Sequence, residues 1–393
     1  MMEFQCSIKD ETWNEADSMI KILFFIDSIT GGGAEKVLRN LVNNMDQDKF
    51  DITVQTIDHA PADKYLRKEI HYKSINRFQN PVLKKIYQYW IRLCAELKIL
   101  YPLYIKDDYD IEVAYLECGP TKIISSSTNK KAVKIAWVHC DLEKKEGFVK
   151  SISKSKKYYK KFDKVVCVSQ NVKQSFERLF GKEPESVVLY NVNDEREIIE
   201  KANLPLPFQR RSEGELLVAV GRLTRQKGFD RLIEACRMLQ DEEYRFELWI
   251  LGEGPERENL EMMIRKYHLE NRITLWGFVE NPYPCIKQAD ILVCSSRYEG
   301  LSTVVTEGLI LGKAIVTTAC TGMDELLGDS EYGVIVEDSI EGIYLGVQKL
   351  LDSKQLRIQY AESAKSNSKR NSMKSRVETT MLFLQKSFSE KLR

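Results

Sequence analysis

Residues 215–240 read ELLVAVGRLTRQKGFDRLIEACRMLQ. The opening ELLVAVG is an apolar run closed by glycine and too short for a helix, so it reads as a strand buried on both faces. From Gly228 onward, GFDRLIEACRMLQ carries helical periodicity. A buried strand that passes through one short loop into a helix is the repeating unit of a parallel sheet covered by helices on both sides. The fold therefore depends on whether the unit recurs.

It recurs in both directions. Downstream come the runs RFELWILG (245–252), RITLWG (272–277), DILVCSS (290–296), KAIVTT (313–318) and GVIVE (333–337), with helical segments ERENLEMMIRKYHL (256–269) and TVVTEGLILG (303–312) among them. Upstream, ILFFID after Lys21, ITVQTI (52–57), DIEVAYL (110–116), VKIAWVH (133–139), KVVCVS (164–169) and SVVLYN (186–191) repeat the pattern. The helices between them include AEKVLRNLVNNM (34–45), VLKKIYQYWIRLCAELKIL (82–100) and NVKQSFERLF (171–180), the last closed by Gly181. KANLPLPFQRRSEGE (201–215) interrupts the alternation with two prolines, a basic pair and a glycine, as a surface linker does. The pattern predicts an α/β protein of two doubly wound domains with parallel sheets facing across a cleft. The first spans 19–203 and the second 204–370; residues 1–18 form a flexible leader, and 371–393 a helix that packs back on the first domain.

Composition agrees with a two-domain globular chain: 393 residues, 43% hydrophobic and 30% charged. A formal net charge of +1 gives no overall attraction to nucleic acid. The nine cysteines are scattered without a CxxC pair, and several lie in apolar runs, which fits a reducing compartment. The leader lacks the apolar core of a signal peptide, and no stretch offers the roughly 20 apolar residues of a membrane span. The expected location is cytoplasmic.

In doubly wound sheets ligands bind beyond the carboxyl ends of the strands, where loops enter helix N-termini. The loop 221–228 puts Arg222 and Lys227 just before a helix, a pairing of fixed cations and positive dipole end that suits a diphosphate, while Gly228 allows close backbone approach. Solvated surface charge is the plain alternative. In SRYEGLSTVVTEGL (296–309), Glu299 lies in the loop after a buried strand and Glu307 about one turn into the following helix, so both carboxylates can face one crevice. A carboxylate accepts two hydrogen bonds from a vicinal diol such as ribose, and the N–H groups near Leu301, Ser302 and Thr303 are placed to meet phosphate.

GRLTRQKGFDRLIEA (221–235), LGEGPERENLE (251–261) and SRYEGLSTVVTEGLILGKAIVTT (296–318) together resemble the nucleotide-sugar half of glycosyltransferase family 4, retaining enzymes of the GT-B fold with two Rossmann-like domains. The likeness runs from Lys21 onward and is most specific between residues 216 and 327. It implies that Arg222 and Lys227 hold the donor diphosphate, that Glu307 binds the ribose hydroxyls, and that Glu299 contacts the sugar. The backbone near Phe278 would meet the base. Gly32, Gly33, Gly221, Gly252, Gly300, Leu301, Ser302 and Thr303 complete the implied donor site, and His139 joins Glu299, Arg222 and Lys227 in the implied catalytic set. The implied reaction moves a hexose or N-acetylhexosamine, most often from UDP, to a glycan or lipid-linked acceptor in bacterial surface polysaccharide or glycolipid synthesis. LYNVNDERE (189–197) and TGMDELL (321–327) depart from the family pattern, the first lacking its usual proline and aspartate and the second its paired glycine. The sugar preference is therefore less defined than the fold.

The first domain offers matching parts. Gly31, Gly32 and Gly33 occupy a loop between strand and helix, where missing side chains let a phosphate or acceptor approach the backbone, a tight turn being the alternative. His139 ends a strand and resembles the family histidine that touches the transferred sugar. Cys140 beside it points the other way along an extended chain and is discounted as a nucleophile. In KKEGFVKSISKSKKYYKKFDK (144–164), Phe148, Ile152, Ser155, Tyr159 and Phe162 recur at helical spacing among lysines. This helix either lies peripherally on an anionic membrane surface or packs its stripe on its own sheet.

No DxD triplet or histidine cluster of metal-ligand spacing is present, so no metal cofactor is expected and protein cations stabilise the leaving group. A dinucleotide oxidoreductase would need GxGxxG, but counting from Gly31 puts Lys36 in the third glycine position. A phosphate-loop ATPase fails because GLILGK (308–313) is one residue short and followed by Ala314. A non-catalytic GT-B partner subunit and a GT-B epimerase stand as alternatives; the cations, both glutamates and His139 argue against the first, and the GRLTRQKGF loop against the second.

Overall fold

The computed structural model describes residues 19–393 apart from 77, 79, 146, 149, 150, 212, 213 and 369–371, so the leader expected over 1–18 lies outside the described residues. Two parallel sheets organise the chain. The first has the strand order β3-β2-β1-β4-β5-β6-β7, built from β1 (Ile20–Ile26), β2 (Phe50–Asp58), β3 (His71–Asn76), β4 (Ile111–Ala114), β5 (Val133–Val138), β6 (Lys164–Cys167) and β7 (Glu185–Val188). Its helices are α1 (Gly33–Asn44), α2 (Pro81–Glu96), α3 (Leu100–Tyr104), α4 (Gly119–Ile124), α5 (Ile152–Tyr159) and α6 (Gln170–Phe180).

The second sheet runs β10-β9-β8-β11-β12-β13, from β8 (Glu215–Val220), β9 (Phe246–Leu251), β10 (Ile273–Gly277), β11 (Ile291–Cys294), β12 (Ala314–Thr318) and β13 (Val334–Val336). Around it lie α7 (Glu195–Ala202), α8 (Phe229–Asp241), α9 (Arg257–Lys266), α10 (Tyr283–Gln288), α11 (Thr303–Ile310), α12 (Met323–Leu327), α13 (Ile340–Leu351) and α14 (Lys354–Ser368). The final helix, α15 (Met373–Leu392), crosses to the first lobe. It buries Val377 and Leu384, and its Lys391 pairs with Asp163 at 2.6 Å. In the other direction α7 reaches the second lobe, where Asn281 donates to the Lys201 carbonyl (3.0 Å) and Lys287 to Asn203 (2.6 Å).

The strands form because their residues are buried on both faces, and β1, β4, β9 and β11 carry almost unbroken buried runs. In each sheet the order reverses between the first strand and its later neighbour, β1 beside β4 and β8 beside β11. The loops that leave β1, β8 and β11 thus emerge at these switch points, where an open sheet leaves a crevice.

Segment 144–164 differs from the membrane-lying helix considered above. Among the described residues there, only Ile152–Tyr159 is α-helical, Phe148, Tyr159 and Phe162 are buried, and the Tyr159 ring sits 5.0 Å from Phe176 and 4.8 Å from Phe180. The aromatic rings thus pack into the lobe's own core, the second of the two arrangements the sequence allowed; Lys156, Lys157 and Lys160 stay exposed.

Candidate active site

The site grows from three loops and the two helices they feed. After β11 the chain stays buried through Ser295 and Ser296, turns at 297–301, and enters α11 under a cap in which Ser302 Oγ accepts from the Val305 N–H (3.3 Å). Glu307 lies four residues beyond Thr303, hence on the same face of α11, and is buried. Glu299 precedes the helix and is buried as well.

Each glutamate is held by a lysine from a different place. Lys227, at the end of the loop after β8, pairs with Glu299 Oε1 at 2.6 Å, and Ser296 Oγ donates to the same oxygen at 2.7 Å. Burial opposes the Lys227 ammonium, but Glu299 outweighs it and the lysine pKa is raised. The Lys227 stem crosses Gly221, where an added Cβ would stand 3.2 Å from its Cδ. Gly221 N–H bonds to the Leu251 carbonyl (3.0 Å) and Gly252 N–H to the Gly277 carbonyl (2.7 Å), so these loops form one backbone floor. Glu307 instead pairs across the crevice with Lys36 of α1 at 2.6 Å, and the Tyr283 hydroxyl reaches it at 3.2 Å while also meeting the Lys36 ammonium.

The two lobes are in contact at the switch points. A Cβ on Gly33 would stand 2.8 Å from Thr303 Oγ1 and force that side chain to shift, and one on Gly300 would stand 2.1 Å from the His139 carbonyl oxygen, a backbone approach that requires glycine. Asp141 N–H donates to the Glu299 carbonyl (3.0 Å), Ser169 Oγ to that of Gly300 (3.0 Å) and Asn191 Nδ2 to that of Leu301 (3.1 Å). The Glu325 carboxylate accepts the N–H groups of Gln170 and Asn171 at the start of α6, both at 3.0 Å.

On the first lobe His139 follows β5 directly. Its N–H donates to Glu117 at 3.2 Å, its ring lies 4.9 Å from Tyr115, and its buried Nε2 has no hydrogen-bond partner among the described residues. Burial lowers the imidazole pKa from its usual 6.5 to about 4 despite nearby Glu117, so the ring is neutral at physiological pH. Glu117 is itself held down at about 2, because the Lys145 ammonium at 2.9 Å and the Cys140 thiol at 2.9 Å outweigh its burial. Cys140 is buried, and burial followed by Glu117 pushes its thiol well up, which removes it as a nucleophile. Glu35, in the first turn of α1, is raised by burial and opposed by Arg222 from the other lobe. Burial, with Glu35 and Glu117 next, lifts Asp27 to about 6.

Lys227, Glu299, Gly300, Thr303 and Glu307 therefore share one seam with Gly33 and His139, and Arg222 stands exposed opposite Glu35. Phe278, just beyond β10, is 65% exposed. Lys36 and Tyr283 are site residues that the sequence reading missed. The signal for Lys36 was its place in the glycine loop, read only as a missing third glycine; Tyr283 carried none, since its partner lies 24 residues away. A cavity of about 560 Å³ opens further along the same seam, lined by Asp141, Asn171, Arg178, Thr321 and Asp324 among others, and does not include either glutamate of α11 and its loop.

Residues 201–367 match the family described as Glycosyl transferases group 1. An N-acetylgalactosamine-N,N'-diacetylbacillosaminyl-diphospho-undecaprenol 4-alpha-N-acetylgalactosaminyltransferase of Campylobacter jejuni is 26% identical, with 89% of this chain and 95% of that protein covered. An amylovoran biosynthesis glycosyltransferase of Erwinia amylovora is also 26% identical, with the same coverage of 89% and 95%. Among solved structures, HepE of Anabaena in complex with UDP and glucose superposes with a TM-score of 0.72 at 17% identity, covering 93% of this chain and 99% of that one. Sucrose-phosphate synthase of Thermosynechococcus elongatus gives a TM-score of 0.73 at 15% identity, covering 94% and 100%. The structures establish the GT-B fold, and the family match with the glycosyltransferase relatives supports a glycosyltransferase.

Proposed function

We propose that this GT-B glycosyltransferase is a retaining, metal-independent enzyme of family 4 that moves a hexose or N-acetylhexosamine from a UDP-sugar to a glycan or lipid-linked acceptor of bacterial surface polysaccharide or glycolipid synthesis. The observation that carries the reading is the seam itself: Lys227 and Glu299 on one side of the α11 N-terminus, Glu307 within that helix, and the glycine loop of α1 pressed against Thr303. The lipid-linked acceptor is favoured by the Campylobacter relative, whose name specifies a diphospho-undecaprenol acceptor, and the UDP donor by HepE, solved with UDP.

In this reading Arg222, Lys227 and the N-terminus of α11 bind the diphosphate and stabilise the charge that grows on it as the sugar departs. The second-lobe glutamates divide the rest of the donor, Glu307 accepting the ribose hydroxyls and Glu299 the sugar. His139, neutral and with Nε2 unpartnered among the described residues, takes a hydrogen bond from a sugar hydroxyl. The acceptor hydroxyl gives its proton to an oxygen of the departing phosphate on the same face, so the anomeric configuration is kept.

The test is a panel of nucleotide sugars assayed for binding by calorimetry and for slow hydrolysis, with Lys227→Ala alongside. One donor should bind and be hydrolysed, and the variant should lose on the order of a hundredfold in kcat/KM, as removal of one preorganised donor does. Hydrolysis of none, with equal nucleotide binding by the variant, would count against the proposal.

A further inference from the structure

The cavity of about 560 Å³ is built by both lobes. From the first come the turn after β5, through Asp141, and helix α6, through Asn171 and Gln174; from the second comes the stretch around α12, through Thr321, Asp324 and Asp329. Its size falls within the roughly 300–1,000 Å³ of small-molecule sites, but most such sites have apolar linings and this one is lined chiefly by carboxylates, amides and hydroxyls. Its floor is fixed. Asp141 is buried and accepts from Ser175 Oγ and Thr321 Oγ1, both at 2.6 Å, the second bond crossing from the opposite lobe. Gln174, Asp324 and Asp329 stay exposed at the rim. Asp329 stands in the left-handed region (φ 52), so its carboxylate is held at the cavity against the preference of its backbone.

This lining selects a class of ligand. Amides donate and accept at once, as sugar hydroxyls do, and a carboxylate can take both hydroxyls of a vicinal diol. Met323 and Ile335 add a small apolar patch on which the C–H face of a pyranose can lie. No aromatic ring lines the cavity among the described residues, so nothing there stacks a nucleotide base. Four carboxylates, Glu143 being the fourth, stand against two cations, Lys144 and Arg178, and Glu143 already holds Arg178 at 2.6 Å. A phosphate or a uronate would be repelled; a neutral sugar would not.

We propose that the cavity is an acceptor subsite for a neutral sugar, the one next to the sugar that receives the transferred residue. Asp141 follows His139 by two residues, and its N–H donates to the Glu299 carbonyl at 3.0 Å. The cavity thus opens beside the point where the donor sugar is placed in the proposed function, and the inference rests on that reading. It makes the enzyme one that extends a chain of at least two sugars, since a lipid phosphate alone leaves the cavity unfilled.

Saturation-transfer NMR of the full chain tests it, with maltose, cellobiose, lactose and chitobiose as neutral probes and digalacturonate as the anionic one. At least one neutral disaccharide should receive saturation, and digalacturonate should receive less. Gln174→Trp, which fills the cavity from its exposed rim, should abolish that signal while the thermal midpoint and donor hydrolysis stay as in wild type. Asp329→Gly, which the left-handed backbone accepts without strain, should weaken the same disaccharide about tenfold. In transfer from the hydrolysed donor, the wild type should use the disaccharide at lower KM than its terminal monosaccharide, and Gln174→Trp should remove the difference. Silence from every neutral disaccharide overturns the proposal. So does a signal that both variants leave intact, a stronger signal from digalacturonate, or equal KM for the two acceptors. A wild type that binds a disaccharide in the cavity yet hydrolyses no nucleotide sugar would overturn the proposed function instead, and keep the cavity as a saccharide site.

Discussion

Glu307 shows how the geometry sharpens a residue's role. Its oxygen is taken by Lys36 from the opposite lobe and by Tyr283, so a ribose that binds there must displace the ammonium. Lys36→Met leaves a buried carboxylate in need of donors, which ribose hydroxyls would supply under the proposed function. UDP affinity should rise about tenfold, in line with one charge-assisted hydrogen bond; calorimetric affinity that falls instead would make Lys36 a ligand of the nucleotide. His139 carries a pH prediction. Its folded pKa of about 4 lies below the ordinary 6.5, so the native state resists protonation. Stability should be fully present above 6.5 and drain away as pH falls toward about 4, and His139→Gln should flatten that part of the thermal midpoint profile. An imidazole resonance titrating near 6.5 would contradict this assignment.

At the scale of elements, α11 is the piece on which the site hangs. Ser302 caps it, and the caps of α6 and α13 follow the same rule with Ser169 and Ser339. Ser302→Ala should cost about 1 kcal/mol by chemical denaturation, with donor KM raised because the loop that carries Glu299 loses its anchor. A variant of unchanged stability would show that the interlobe bonds alone fix the loop. Sequence made most of these elements legible because central parallel strands are buried on both faces and announce themselves as apolar runs. It failed at β3, whose HYKSIN is half polar because it is an edge strand, and at 82–100, which divides into α2 and α3 with Lys98 in the left-handed region between them. Segment 144–164 left two readings open for another reason: a stripe of aromatics looks the same whether it faces a membrane or a core. Intralobe site geometry followed from strand ends, whereas the Lys36–Glu307 pair joins residues 271 positions apart in different lobes and has no local signature.

For the whole molecule, the two sheets carry their switch points to the same seam, and helices α7 and α15 exchange sides to tie the lobes together. The tight passages at Gly33 and Gly300 bring the glycine loop, His139 and the α11 N-terminus against one another across the seam. A donor bound in the seam would touch both lobes at once. Hydrogen–deuterium exchange of the full chain with and without UDP tests that claim most directly. The account predicts slowed amide exchange at 221–228 and at 299–307, together with the glycine loop at 31–36. Unchanged exchange in those segments, or protection confined to 319–330 beside the cavity lined by Asp141 and Asp324, would contradict it.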